Sequence, residues 1–210
     1  MKHFILMGDI IASGEKDQKQ LMSEFKLLIK EVNNNNKNGI LSPLTITLGD
    51  EFQGVIKDLS TSINIILEIE ESIFKNKFNF KLRYILNEGY IDTPINNEIA
   101  YEMLGSGLTE ARYKLNELKN QKERFIIFLD NKLQNNILIN AFKIYDNIVG
   151  KWSMEKDYEI ASNFIKFNDY KIVSDVMKKN RSQLWKREKT LNIDTYNSTK
   201  NIIKTISQTN

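Results

Sequence analysis

The first 89 residues switch between two hydrophobic spacings in an order that few folds can accept. Phe4-Ile5-Leu6-Met7 is a continuous apolar run that ends at Gly8-Asp9, the pattern of a buried strand delivering an acid at its end. After the small-residue turn Ala12-Ser13-Gly14, residues 17–32 carry Leu21, Met22, Phe25, Leu28, Ile29 and Val32 at helical spacing, and the asparagines at 33–36 close that helix. Leu44, Ile46 and Leu48 on one side, and Phe52, Val55 and Ile56 on the other, flank Gly49-Asp50-Glu51 as the arms of a β-hairpin. A second amphipathic helix covers residues 61–75, and Phe80, Leu82, Tyr84 and Leu86 alternate as a strand ending in Asn87-Glu88-Gly89. The sum is β-α-β-β-α-β, the order of an α+β, ferredoxin-like sheet with helices packed on one face. In that order the first strand lies mid-sheet beside the hairpin, so Asp9 and Asp50 are expected to meet although they stand far apart in sequence.

The rest of the chain changes character. Residues 90–101 are irregular and contain Pro94; Met103-Leu104-Gly105-Ser106-Gly107-Leu108 leads into a helix over 109–118, and residues 124–129 read as one more short strand. The two glycines there serve either a backbone close to a ligand or a plain loop. From Leu133 the strand signal stops, and helices are expected over 133–149, 154–167, 169–178, 182–190 and 196–206. The expected division is an α+β domain over residues 1–131 and an all-helical domain over 132–210, which a chain of 210 residues can accommodate.

Charge is divided in the same way. The net charge is +3, but from Tyr170 onward nine basic residues face three acidic ones, so the end carries +6 and the remainder −3. Such a split is a reason to expect nucleic acid at the basic end. Ser174, Lys178 and Leu184 fall at the intervals that a helix-turn-helix needs for its small residue, its turn and its packing residue. Gln183, Lys186 and Arg187 on the second helix, with Lys178 and Arg181 at its start, are the candidate DNA contacts. The alternative is a solvated bundle or a dimerisation element.

Cysteine is absent and His3 is the single histidine, so thiolate chemistry, histidine-built metal cages and histidine triads are excluded. Chemistry must fall to carboxylates, cationic side chains, hydroxyls or a bound ion. Asp9, Asp50 and Glu51 are the candidate ligands of Mg²⁺ or Mn²⁺, cations that bind through one or two carboxylates together with substrate phosphates. Glu51, next to Asp50 in a strand-like stretch, is expected to alternate away from it. Ile10, Ser13, Gly14 and Gly49 would present backbone N–H groups to a phosphate. Against each stands a plainer role: Asp9 as a cap, Ser13-Gly14 as an ordinary turn, Trp152 and Trp185 as core anchors. No apolar run reaches the roughly 20 residues of a membrane span, and the start lacks a signal-peptide layout, so a cytoplasmic location is expected.

Gly8-Asp9-Ile10-Ile11-Ala12-Ser13 together with Thr47-Leu48-Gly49-Asp50-Glu51-Phe52-Gln53-Gly54 resembles the SatD family of bacterial proteins, along nearly the whole chain. More distantly, the first 130 residues resemble the class III nucleotidyl cyclase catalytic domain, a palm-like fold. That resemblance implies metal ligation by Asp9 and Asp50, a nucleotide or other phosphorylated small molecule as ligand, and a homodimer. Leu82-Arg83-Tyr84-Ile85-Leu86-Asn87-Glu88-Gly89 is similar to the cyclase strand that leads to a glycine. Gly105 to Arg112 is similar to the helix that brings an arginine, here Arg112, to the phosphates. Leu108 stands where that domain has a ribose-orienting asparagine, which implies binding more readily than catalysis. The expectation is a DNA-binding regulator with a nucleotide- and metal-binding domain; the alternative is an active cyclase or phosphotransferase whose helical end dimerises it.

Overall fold

The structure is a computed structural model that describes residues 1–210 apart from Lys16, Asn120 and Asn210, and apart from the side chains of Glu15 and Leu118. Among the described residues it is mixed α/β, with one five-stranded sheet and eight α-helices. Strands β1 (Lys2–Ile10), β2 (Ile40–Ile46), β3 (Glu51–Ile56), β4 (Leu82–Tyr90) and β5 (Phe125–Phe128) lie in the order β2-β3-β1-β4-β5. β1 is antiparallel to both β3 and β4, and β5 runs parallel to β4. Pro43, which cannot donate to a ladder, falls on the edge strand β2, where this costs least.

Two apolar layers sandwich the sheet. Leu6, Ile10, Phe52, Ile56, Leu82, Tyr84 and Leu86 face α1 (Gln18–Asn35) and α2 (Leu59–Asn76). Asp17 starts α1 as its cap, accepting the Lys19 and Gln20 N–H groups, and Asn33 near its end holds the edge strand by bonding both the N–H and the C=O of Leu44. On the opposite face Ile5, Met7, Val55 and Ile85 pack under α3 (Ser106–Leu118) through Leu108, Ala111 and Leu115.

The C-terminal helices are α4 (Lys132–Val149), α5 (Tyr158–Phe167), α6 (Tyr170–Met177), α7 (Arg181–Thr190) and α8 (Ile193–Ser207). Their apolar faces join the same buried cluster as α1 and α2: Phe142 stacks on Phe125 of β5 with ring centres 4.7 Å apart, and Trp152 meets Phe74 of α2 at 5.1 Å. Trp152 is thereby a core residue, whereas Trp185 is half exposed. Among the described residues no helix is long and apolar enough to cross a membrane.

Candidate functional site

Antiparallel pairing decides which acids meet. The β1/β3 register sets Asp9 opposite Glu51, and directly opposed residues project to the same face of the sheet. β1/β4 sets Asp9 opposite Arg83 on its other side. Asp9, Glu51 and Arg83 therefore share the α3 face at one end of the three central strands. Glu51 does not turn away from the site as its place in the sequence suggested. Asp50 lies in the four-residue turn 47–50, outside the pleat, so strand alternation cannot be carried from Asp50 to Glu51. The turn itself needs Gly49 at φ +88, in the left-handed region, and leaves Leu48 at the tip 74% exposed.

Asp9 is 2% exposed. Arg83 Nη1 donates to its Oδ2 at 3.0 Å, while Oδ1 is buried without a hydrogen-bond partner. Burial pushes the Asp9 carboxyl above the usual aspartate range, with Arg83 and Lys119 pulling it down and Glu51 adding to the rise. Asp50 reaches the same corner through its backbone and its side chain: its C=O accepts from Ile10 N–H at 2.9 Å, and its Oδ2 accepts from the Ser13 hydroxyl at 2.6 Å. Glu51, 1% exposed, has both oxygens occupied. Lys119 Nζ donates to Oε1 at 2.8 Å and Arg112 Nη1 donates to Oε2. Arg112 thus pairs with Glu51 and not with Asp50 or Glu110, and its Nη2 adds a long contact of 3.4 Å to Gln53.

The position of α3 makes these contacts possible. A Cβ on Gly107 or Gly89 would collide with the other's backbone, and one on Gly105 would collide with the Tyr90 carbonyl. Glycines 105 and 107 therefore serve the approach of helix to strand, not of backbone to ligand. Buried Asn87 fastens the contact by donating to the Gly107 carbonyl at 3.0 Å.

The phosphate cradle expected at residues 10–14 is reduced. The N–H groups of Ile10 and Ile11 are spent on the carbonyls of Asp50 and Lys81, which removes Ile10 as an N–H donor to a ligand and leaves Ser13 and Gly14. Gly14 has open space around it, and Ser13 already serves Asp50. Sequence reasoning missed Arg83 and Lys119. Arg83 alternates with Leu82 and Tyr84 and so shares a face with Asp9 once β4 neighbours β1. Lys119 stands seven residues after Arg112, two helical turns along the same face.

The donor set for a metal is oxygen only. Among the described residues no group of three or more acidic or histidine side chains converges as a metal cage. Asp9, with one partnerless buried oxygen, and Asp50, whose carbonyl meets the Ile10 N–H next to Asp9, are of the chemistry that would suit a hard cation arriving with the oxygens of its own ligand. Glu51 does not, since two cations already neutralise it.

Far from this corner, α6 and α7 meet at a three-residue turn in which Lys178 takes the left-handed conformation at φ 52, where glycine is usual. Ser174 and Leu184 are both buried at that crossing. Of the five candidate DNA contacts, Arg181 pairs with Asp175 and Arg187 with Asp157, while Lys178, Gln183 and Lys186 are exposed.

Among solved structures, the chain is similar to a bacterial light-regulated adenylyl cyclase, with 14% identity and a TM-score of 0.45, covering 60% of this chain and 74% of that one. At that score the likeness bears on neither site nor activity. No curated protein matches. The SatD family model matches residues 3–206, which spans both the acidic corner and the helical end, and the chain belongs to the SatD family.

Proposed function

We propose that this protein is a ligand-responsive regulator. A nucleotide or other phosphorylated small molecule binds with Mg²⁺ or Mn²⁺ at the Asp9–Asp50 corner of a ferredoxin-like, cyclase-like sheet, and the α6–α7 helix-turn-helix contacts DNA. The observation that carries the ligand half is Asp9: a buried carboxylate with one oxygen unpartnered, inside a corner that also holds Arg83, Arg112 and Lys119. An unpaired buried oxygen is costly in the free protein, and a cation would relieve that cost. The bound ion would supply positive charge to phosphate oxygens. The chain's own part is to hold that ion with Asp9 and Asp50 and to present the arginines and lysine.

Support for the DNA half is the left-handed turn at Lys178 between two short helices and the basic excess around it. Binding ranks above catalysis because Leu108, at the position where a cyclase would orient ribose, is 8% exposed and packed into the apolar layer under α3. Homodimer assembly belongs to the same proposal; exposed Leu48, Leu104 and Tyr113, on the hairpin tip and on α3 and its lead-in, are available for it.

Thermal melting with MnCl₂ alone, and with MnCl₂ plus ATP or GTP, tests the ligand half. Saturation at 100 times Kd should add about 2.7 kcal/mol of stability, and Asp9→Asn or Asp50→Asn should abolish the shift. No shift with any combination refutes it. Gel shifts on DNA from the protein's own operon test the other half, with Lys186→Ala as the weakened variant.

A further inference from the structure

Glu51 has more positive charge around it than it needs. One cation neutralises one carboxylate, yet Glu51 holds two, one on each oxygen. Asp9 and Asp50 have less: Asp9 holds Arg83 but leaves Oδ1 bare, and among the described residues the Asp50 carboxylate receives the neutral Ser13 hydroxyl and no cation. The corner is therefore polarised, with surplus negative charge on the Asp9–Asp50 side and surplus positive charge on the α3 side.

The two cations are also unlike their partner in burial. Glu51 is 1% exposed, whereas the side chains of Arg112 and Lys119 are 30% and 43% exposed. Leaving Glu51 bare would be expensive, so both cations stay with it. Neither is exhausted by doing so. An ammonium has three donors and Lys119 spends one on Glu51; a guanidinium has five, and Arg112 spends one strongly on Glu51 and one weakly on Gln53. The hydrogen bond to Glu51 holds the Lys119 ammonium above the usual lysine range, and the fields of Glu51, Asp9 and Asp50 add to the effect against the opposing cost of burial.

We propose that Lys119 is an anion-contact residue: with Arg112 it forms a two-cation subsite, positioned by Glu51, that takes one phosphoryl group of a polyphosphate while another phosphoryl group lies toward Asp9 and Asp50. The inference rests on the reading of this corner as a ligand site and adds a residue and a ligand class to it. A single phosphoryl group satisfies only one pole of the corner; a diphosphate or longer chain spans both.

The test is binding to the full chain, with inorganic pyrophosphate and MgCl₂ followed by calorimetry and Mn²⁺ alone followed by electron paramagnetic resonance. Lys119→Ala should weaken pyrophosphate about tenfold, the loss of one charge-assisted contact. The same substitution should tighten Mn²⁺ a few fold, because a positive charge leaves the neighbourhood of Asp9 and Asp50. Lys119→Arg should keep pyrophosphate affinity within about twofold of wild type. Opposite signs for anion and cation are something structural damage does not produce, and Lys119 is exposed enough that folding is not at stake. Pyrophosphate affinity unchanged in Lys119→Ala, both probes weakened together, or a wild type that does not bind pyrophosphate overturns the proposal. If Asp50→Asn leaves Mn²⁺ binding intact while Lys119→Ala still weakens pyrophosphate, the metal reading fails and the role of Lys119 stands.

Discussion

Gly107 sets the height at which α3 rides over the sheet, and Gly107→Ala tests whether that height matters. An added Cβ would stand 2.6 Å from the Gly89 carbonyl carbon, 2.7 Å from Gly89 Cα and 2.8 Å from Tyr90 N, all of them strand backbone. Non-bonded carbons settle at about 3.5 to 4.0 Å, so the helix start must rise by about 1 Å. Overpacking of that size costs about 1 to 3 kcal/mol. Alanine gains at most about 1 kcal/mol over glycine in a helix interior, and less in the first turn, where Gly107 lies. The clash should win, leaving a net loss of about 1 to 2 kcal/mol. At this chain length each kcal/mol corresponds to about 2 to 4 °C in Tm. The rise also stretches the 3.0 Å hydrogen bond from Asn87 and lifts Arg112 from Glu51, so pyrophosphate binding should weaken with stability. Thermal and urea unfolding measure the first effect and calorimetry the second. Gly14→Ala is the control, because nothing lies within 4 Å of its added Cβ; it should change stability by no more than about 0.5 kcal/mol. A Gly107→Ala protein as stable as wild type would mean that helix propensity outweighs the contact, and the account of how α3 is positioned would be wrong.

Arg124→Leu strands Glu70, which is 2% exposed, with only the Tyr84 hydroxyl as partner, and should cost about 3 to 5 kcal/mol in urea unfolding. The double variant Glu70→Leu/Arg124→Leu should lose clearly less than Arg124→Leu alone; a simple sum of two losses would contradict the pairing. Lys178→Gly relieves a left-handed side chain at an exposed position and should stabilise by about 0.5 to 1 kcal/mol, read as a higher urea midpoint at unchanged slope. If α6–α7 touches DNA, Lys186→Ala should lower the magnitude of the log-log salt slope of binding by about 1, the signature of one phosphate contact; an unaltered slope removes Lys186 from the interface.

The order of elements was legible because each strand and helix buries one face, and burial writes a period into the sequence. Which acids meet was less legible. Leu44, Ile46 and Leu48 alternate as though one strand ran to the turn, but β2 stops at Ile46 and Leu48 is solvent-exposed, so the parity that assigned Glu51 a face was counted from the wrong residue. Register is a property of two strands, and no single stretch contains it. The packing of the C-terminal helices onto the sheet domain did leave a trace. Ile63, Ile65, Ile66, Leu67, Ile69, Ile73 and Phe74 of α2 are buried on more than one side, too apolar for a helix with one wet face. Adjacent Glu70 and Glu71 point to different neighbours, Glu70 to Arg124 and Glu71 to Tyr196 and Lys200 of α8.

Among the described residues, the ionic clusters around Glu70 and around Glu51 differ in how fully their buried groups are matched. In the first, Arg124 grips both oxygens of Glu70, bonds Asp146 at 2.7 Å and donates to the Leu82 carbonyl at 3.0 Å, while Tyr84 donates to Glu70 at 2.9 Å. Burial alone would lower the Arg124 pKa, yet Glu70 and Asp146 hold it above its ordinary value. Every buried charge there is matched, which is what a cluster that only holds β5 to α2 and α4 requires. The corner at Asp9 could have been closed in the same way, since three cations stand near three acids. Instead two cations crowd Glu51, Asp9 keeps an unmatched oxygen, and the surplus donors of Arg112 and Lys119 are on exposed side chains. A fold that satisfies one buried ionic cluster completely and leaves another unsatisfied at one end of its central strands is what the proposed ligand site requires: under that proposal the missing partners would come from outside the chain, a cation for Asp9 and Asp50 and an anion for Arg112 and Lys119.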